Sequence, residues 1–327
     1  MEFLLQTGVD WVVAVQSLGG WLEAPMEFFT FLGLENFYLL VLPLLYWSVD
    51  AGLGLRVGVV LITSNALLFI FKLIFAAPRP YWVSAQVKAL AAESTFGIPS
   101  GHAQNAVALW GIMASGSRRR WAWIAAFTLA FLIGFSRIYL GVHFVHDVIA
   151  GWLIGGLLLW AIIAFWELVA AWLKGKTLAQ QVMISFAVSM IFLTAGLLSA
   201  AGRGGYVFPE EWKDNALRAG PLPDPVSIEG ILTSAGSFFG LTAGAAWIAA
   251  RGGYQASGPA EKRALRYVIG LVGILILWYG LGQVFPRSES LIAYILRYVR
   301  YTLVGLWVVA GAPWLFFHFK LAQPPNG

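Results

Sequence analysis

Residues 136–147 read Ser-Arg-Ile-Tyr-Leu-Gly-Val-His-Phe-Val-His-Asp and set Arg137, His143, His146 and Asp147 between two apolar runs, Trp121–Gly134 and Val148–Trp166. Ionisable groups beside membrane-length apolar segments are costly to keep, so they are a functional hypothesis by default. His143 and Asp147 are four apart, so on a helix they share a face. A carboxylate that holds an imidazole by one nitrogen leaves the other basic and aimed. Two further polar clusters precede this one. Lys72-Leu-Ile-Phe-Ala-Ala-Pro-Arg79-Pro80 brings two cations to the end of an apolar segment. Pro99-Ser100-Gly101-His102 opens another segment. Free backbone N–H groups at a helix start, beside a hydroxyl and a glycine, suit an anion. Taken singly, each cluster also reads as an interfacial anchor or a helix cap.

The elements that must position these groups are membrane helices. The 327-residue chain is 59% hydrophobic and 11% charged, with a mean hydropathy of +0.76. A soluble domain carries roughly 25% charged residues, so the composition predicts an all-α polytopic bundle. Its 16 Trp and 11 Tyr suit aromatic belts at the two interfaces. The net charge of +5 does not imply a nucleic-acid partner, because no basic run exceeds Arg118–Arg120. With no cysteine, disulfides, thiolate metal sites and cysteine nucleophiles are excluded. Apolar lengths predict nine spans, near 26–48, 54–76, 101–117, 121–140, 145–170, 178–201, 228–250, 264–283 and 290–317. The expected organisation is an N-terminal interfacial helix (1–24), a catalytic membrane core (25–202), an extramembrane loop (203–227) and a three-helix extension (228–327).

Lysine and arginine concentrate in alternate connections, at Arg56, Arg118–Arg120, Lys174, Lys176, Arg251, Lys262, Arg263, Arg266 and Lys320. The positive-inside rule makes these cytoplasmic, with the N-terminus outside and the C-terminus inside. All three polar clusters then fall on the outer face, which in a bacterium is the periplasmic face of the inner membrane. Together they supply Lys72, Arg79 and Arg137 as cations, Ser100 and Gly101 as neutral donors, and His102 and His143. Fixed cations and donors around a small site are what a phosphate needs as its leaving oxygen departs. One histidine can attack phosphorus and the other can protonate the leaving group. No carboxylate cluster suggests a metal, and the cations would repel one. Opposed protonation states of two histidines predict a bell-shaped pH profile.

The spacing Lys-x6-Arg-Pro at 72–80, Pro-Ser-Gly-His at 99–102 and Ser-Arg-x5-His-x3-Asp at 136–147 resembles the full signature of type 2 phosphatidic acid phosphatases, the PAP2 superfamily. The resemblance spans about 25–170 and implies a six-helix core with a metal-independent phosphatase site that needs no cofactor. It implies His143 as the nucleophile that becomes phosphohistidine, Asp147 as its support and His102 as the general acid. It implies Lys72, Arg79, Ser100, Gly101 and Arg137 as phosphate-holding groups. Tracts such as Arg79-Pro-Tyr-Trp-Val and His143-Phe-x-His146 are also similar to the glucose-6-phosphatase branch, and the extra length to the sphingosine-1-phosphate phosphatase branch. Asp147 fits the lipid-phosphatase members better.

The expected substrate is therefore a lipid phosphate, monoester or pyrophosphate, presented by the bilayer. The alternatives are a soluble sugar phosphate and, in a different class, a non-catalytic lipid transporter or flippase on the same fold. Arg297 and Arg300, three apart on the last span, are candidate headgroup contacts. His146 reads as a solvated bystander. Glu35, Asn36, Asn65 and Glu167 read as structural, and Tyr81–Gly97 is long enough to cover a pocket.

Overall fold

A computed structural model describes residues 2–117 and 119–323. Arg118 lies outside the described residues, as do the side chains of Phe3, Leu4, Glu35 and Asn36. In chain order the helices are α1 (Glu2–Gln16), α2 (Glu23–Phe31), α3 (Glu35–Leu44), α4 (Ala51–Phe75), α5 (Pro80–Val83), α6 (Gly101–Ser117), α7 (Arg120–Tyr139) and α8 (Val145–Lys174). They continue with α9 (Leu178–Ala201), α10 (Glu210–Ala219), α11 (Glu229–Ala249), α12 (Ala260–Leu275), α13 (Leu281–Val284), α14 (Leu291–Leu306) and α15 (Ala312–His318). No strand forms among the described residues.

Seven helical segments among the described residues are long and apolar enough to cross a membrane: Ala51–Val83, Arg120–Tyr139, Val145–Lys174, Leu178–Ala201, Glu229–Ala249, Ala260–Val284 and Leu291–His318. The protein is a multi-pass integral membrane protein. Two of the expected spans take other forms. Residues 26–48 divide into α2, α3 and a π-helical turn, Leu45–Val49. The break falls around Gly33, which faces the His102 ring so closely that a Cβ would stand 2.7 Å from its Cδ2. The segment 101–117 forms α6, which has 17 residues and buries Gln104 and Asn105 in its second turn. On α8, Ile149, Leu153, Leu157, Trp160 and Leu168 are exposed. Such an apolar stripe would promote aggregation in water but suits hydrocarbon.

The chain folds as two compact units assembled from separated stretches. The first comprises Met1–Phe37, Leu67–Trp160 and Gly196–Ile228. Here α6 pairs with α7, and α2 packs on α7. α8 meets α6 through Gly151 and Gly155, where a Cβ on Gly151 would lie 2.5 Å from the Ser100 carbonyl oxygen. Small residues let backbones approach where lipid offers no hydrophobic drive for association. Gly151→Ala is therefore expected to push Ser100 from its place, lowering turnover and the melting temperature together. An unchanged melting temperature would show that the contact can relax.

α1 is not wholly given to the interface, since Val9 and Val12 are fully buried while Trp11 is exposed. Gln16 holds it down: Nε2 donates to Lys88 O (2.8 Å) and Tyr139 O (2.9 Å), and Oε1 accepts from Lys88 N (3.0 Å). The 203–227 insert is also more than a loop. It contains α10, whose Asn215 donates to Trp82 O at 3.1 Å. Phe208 meets Trp82 edge-on at 5.1 Å, and Tyr206 meets Phe96 at 5.2 Å. Arg203 Nε donates to Leu73 O at 2.6 Å, satisfying a terminal carbonyl of α4.

The second unit comprises Tyr38–Ala66, Ala161–Ala195 and Glu229–Gly327. α11 lies on α14 through Gly236, Gly240 and Gly244. Trp47 is fully buried and donates to Val308 O at 2.7 Å. Arg266, also fully buried, donates to Tyr254 Oη (2.9 Å) and Ala256 O (2.8 Å), so its charge is spent on local carbonyls and a phenol.

Candidate active site

The first unit gathers Lys72, Arg79, Ser100, Gly101, His102, Arg137, His143 and Asp147. Lys72 ends α4, Arg79 precedes α5, the Ser100–His102 stretch starts α6, Arg137 ends α7, and Asp147 lies in the first turn of α8. Each therefore sits at a helix end, where chain direction and backbone polarity can be turned toward one point.

Asp147 is fully buried. Its Oδ2 accepts from Phe144 N at 2.9 Å and lies 3.1 Å from His143 Nδ1. On the other side of the ring, His143 Nε2 lies 3.2 Å from Arg79 Nη1. A guanidinium has no acceptor, so Nε2 must carry the lone pair and Nδ1 the proton. The tautomer is fixed from both sides. Burial, then the charges of Arg79, Lys72 and Arg137, hold the His143 pKa well below the ordinary imidazole value. A neutral ring, which this lowering favours, is what a nucleophile requires.

Arg79 is fully buried. It donates Nε to Thr95 O (2.6 Å), Nη1 to Val142 O (2.9 Å), and Nη2 to Thr95 Oγ1 (3.2 Å) and Phe96 O (3.1 Å). Lys72 Nζ donates to the same loop, at Thr95 Oγ1 (2.8 Å) and Phe96 O (2.7 Å). Arg137 donates Nη1 to Thr30 Oγ1 (2.6 Å) and Nη2 to Glu93 Oε1. Glu93 Oε2 also lies 3.8 Å from Arg79 Nη2. Burial alone would raise the Glu93 carboxyl, but Arg137 and Arg79 outweigh it and hold the pKa at about 2. Its contribution to stability is therefore present above the ordinary carboxylate pKa and fades only as pH falls toward that value.

Ser100 N donates to the Asp147 carbonyl at 2.9 Å, tying the α6 start to α8. Ser100 Oγ and His102 Nε2 are both buried without a hydrogen-bond partner among the described residues. Unsatisfied buried donors and acceptors are rare and call for an explanation. Here they border three cations, which is what a tetrahedral oxyanion would complete. Gly97 allows the loop to close over Asp147, since a Cβ there would lie 2.7 Å from Pro78 O and 3.1 Å from Asp147 Oδ2.

His146 is half-exposed, stacks on Phe144 at 5.1 Å and lies 3.4 Å from Asp147 Oδ1. Arg297 and Arg300 belong to the second compact unit. Sequence reasoning passed over Thr30 and Thr95 and saw Glu93 only as part of a covering segment. The signal was slight: a lone acid, Glu93, two residues before a threonine, in a stretch otherwise facing cations.

The profile of the PAP2 superfamily matches residues 53–171, and that of the PAP2 superfamily phosphatase transmembrane extension matches residues 232–324. Phosphatidylglycerophosphatase B of Bacillus subtilis is 32% identical over 164 residues, covering 45% of this chain and 76% of that protein. The chain belongs to the PAP2 superfamily. It is accordingly a membrane phosphatase, a phosphoric ester hydrolase. Among its PAP2 relatives, glucose-6-phosphatase 3 of Bos taurus is 26% identical over 99% of both chains. The crystal structure of a transmembrane PAP2-type phosphatidylglycerolphosphate phosphatase from Bacillus subtilis is 28% identical, covering 50% of this chain and 87% of that one, with a TM-score of 0.43.

Proposed function

We propose that this PAP2 phosphatase hydrolyses a lipid phosphate through a phosphohistidine on His143, without a metal and at the outer face of the membrane. The observation that carries the reading is the doubly fixed His143 ring, neutral, with Nε2 free to attack once its contact with Arg79 opens. In the proposed sequence Nε2 displaces the leaving oxygen from phosphorus, and His102 protonates that oxygen. Water, deprotonated by His102, then attacks the phosphohistidine and releases phosphate. Lys72, Arg79 and Arg137 neutralise the non-bridging oxygens, with Ser100 and the Gly101 N–H as donors. The Arg79 N–H that holds the lone pair in the free enzyme donates instead to a phosphate oxygen when phosphorus takes its place. The Glu93 carboxylate on Arg137 occupies ground a substrate phosphate would claim, so substrate entry includes its displacement. The reading takes with it nine spans around a six-helix core.

Lipid substrates are supported by a site built at helix ends, the depth of headgroups. Phosphatidylglycerophosphatase B, lipid phosphate phosphatase delta of Arabidopsis thaliana and sphingosine-1-phosphate phosphatase 2 of Mus musculus are among the named relatives. The full-length similarity to glucose-6-phosphatase 3 favours a second reading, a soluble sugar phosphate. Phosphate release by purified protein from a panel of lipid phosphates and glucose 6-phosphate, in EDTA, separates the two. Preference for a lipid is expected; preference for glucose 6-phosphate over every lipid removes the lipid assignment, and loss of all activity in EDTA removes the metal-free mechanism.

The depressed His143 pKa also revises the expected pH profile. A nucleophile with a lowered pKa is active above that pKa, so kcat/KM should show no acid limb near the ordinary imidazole value of about 6.5. Half-loss of kcat/KM between pH 6 and 7 on acidification would contradict this and restore the symmetric bell.

A further inference from the structure

The second compact unit holds a cavity of about 350 Å³ with a mixed polar and apolar lining, which includes Glu229, Gln283, Arg287, Tyr294, Arg297 and Arg300. Its three arginines face one glutamate, so the lining is cationic. Arg297 is already engaged: it pairs with Glu229 and donates Nη1 to Thr233 Oγ1 at 3.2 Å. Arg287 is exposed and donates to Gly282 O at 3.3 Å. Arg300 differs. Its guanidinium lies over the Tyr301 ring at 4.9 Å, and its Nε is buried with no hydrogen-bond partner among the described residues.

A buried guanidinium N–H without an acceptor is unfavourable. The planar fork of arginine matches the oxygens of phosphate. The cavity runs from the 285–290 connection along the first three turns of α14 to Tyr301, so it begins at the end of a membrane-length segment, where headgroups sit. Flanking it, Val284, Leu291, Ile292 and Ile295 are exposed apolar side chains, suited to acyl chains rather than water. The surroundings therefore fit an amphiphile with an anionic head.

We propose that this cavity is a second phosphate-recognising site, which takes the headgroup of an anionic phospholipid, with Arg300 and Arg287 as its contacts. Free inorganic phosphate shares the chemistry and is the other possible source of the ligand. The site does not depend on the phosphatase mechanism.

Native mass spectrometry of the full chain in mild detergent tests it, with dioleoylphosphatidylglycerol, dioleoylphosphatidylcholine or inorganic phosphate added. Wild type should retain phosphatidylglycerol in preference to phosphatidylcholine. Arg300→Gln should bind phosphatidylglycerol about tenfold more weakly, the loss of one charge-assisted contact. Binding at the catalytic clamp is common to both proteins and cancels in that comparison. Arg287→Gln, at an exposed position, repeats the test should Arg300→Gln melt early. Displacement of the lipid by inorganic phosphate in wild type assigns the site to the free anion; lipid retention assigns it to the headgroup. Equal retention of the two lipids by wild type, or undiminished phosphatidylglycerol binding in both variants, overturns the proposal.

Discussion

His143→Ala is expected to lower phosphate release by at least about 10⁴-fold while leaving the protein folded, in line with removal of a nucleophile from an enzyme that acts as a unit. The ring is held between Asp147 and Arg79 and makes no other side-chain hydrogen bond among those described. Its loss leaves one carboxylate oxygen still bonded to Phe144 N, so the helix start survives. The direct readout is the intermediate. Alkaline quenching of wild type during turnover should trap a phosphate on His143 that acid releases, and the variant should trap none. Asp147→Asn should fall between the two, because an amide can orient the ring but cannot stabilise its positive charge. Near-normal turnover in His143→Ala would sink the phosphohistidine mechanism. A transported lipid whose movement survives the substitution would favour the transporter reading instead.

The second large effect concerns Arg79. Arg79→Ala should cost about 3–5 kcal/mol of stability, the usual penalty for breaking a buried charged network, and about 10³-fold in turnover. The stability loss follows from the bonds it makes. Carbonyls of Thr95, Phe96 and Val142 would be left without this donor inside the protein, and of the two cations bonded to Thr95 and Phe96 only Lys72 would remain. The turnover loss follows because the same side chain fixes the His143 lone pair and, in the proposed mechanism, would face the oxygens of the substrate phosphate. Arg79→Lys keeps the charge but not the fork, so it should recover part of the stability and little of the activity. Thermal melting and turnover measured on both variants separate the roles. If Arg79→Lys restored full turnover, charge alone would suffice and the geometric role would be wrong.

The candidate site was legible in the sequence to a degree the fold was not. Lys72, Arg79, Ser100, His102, Arg137, His143 and Asp147 stand out because ionisable and small polar residues are scarce in so apolar a chain. Glu93, Thr95 and Thr30 were not legible. They act through contacts many positions away, such as Arg137 with Thr30, and little local marks them. Helix existence followed from apolar length, whereas the break within 26–48 falls where Gly33 approaches the His102 ring. That contact lies across 69 residues of sequence, beyond the reach of any periodicity. The pairing of Arg297 with Glu229 is likewise a tertiary fact.

The docking of α10 on Trp82 has a consequence for biogenesis. Residues 196–228 belong to the same compact unit as the clustered polar groups, although two long apolar segments separate them from Asp147 in the chain. As the chain emerges, every proposed catalytic group is made by residue 147, yet Trp82 and Phe96 stay uncovered until the aromatic residues at 206 and 208 arrive. The nascent protein thus carries its chemistry for some time before its roof. Insertion of α8 and α9 sets when that roof can close.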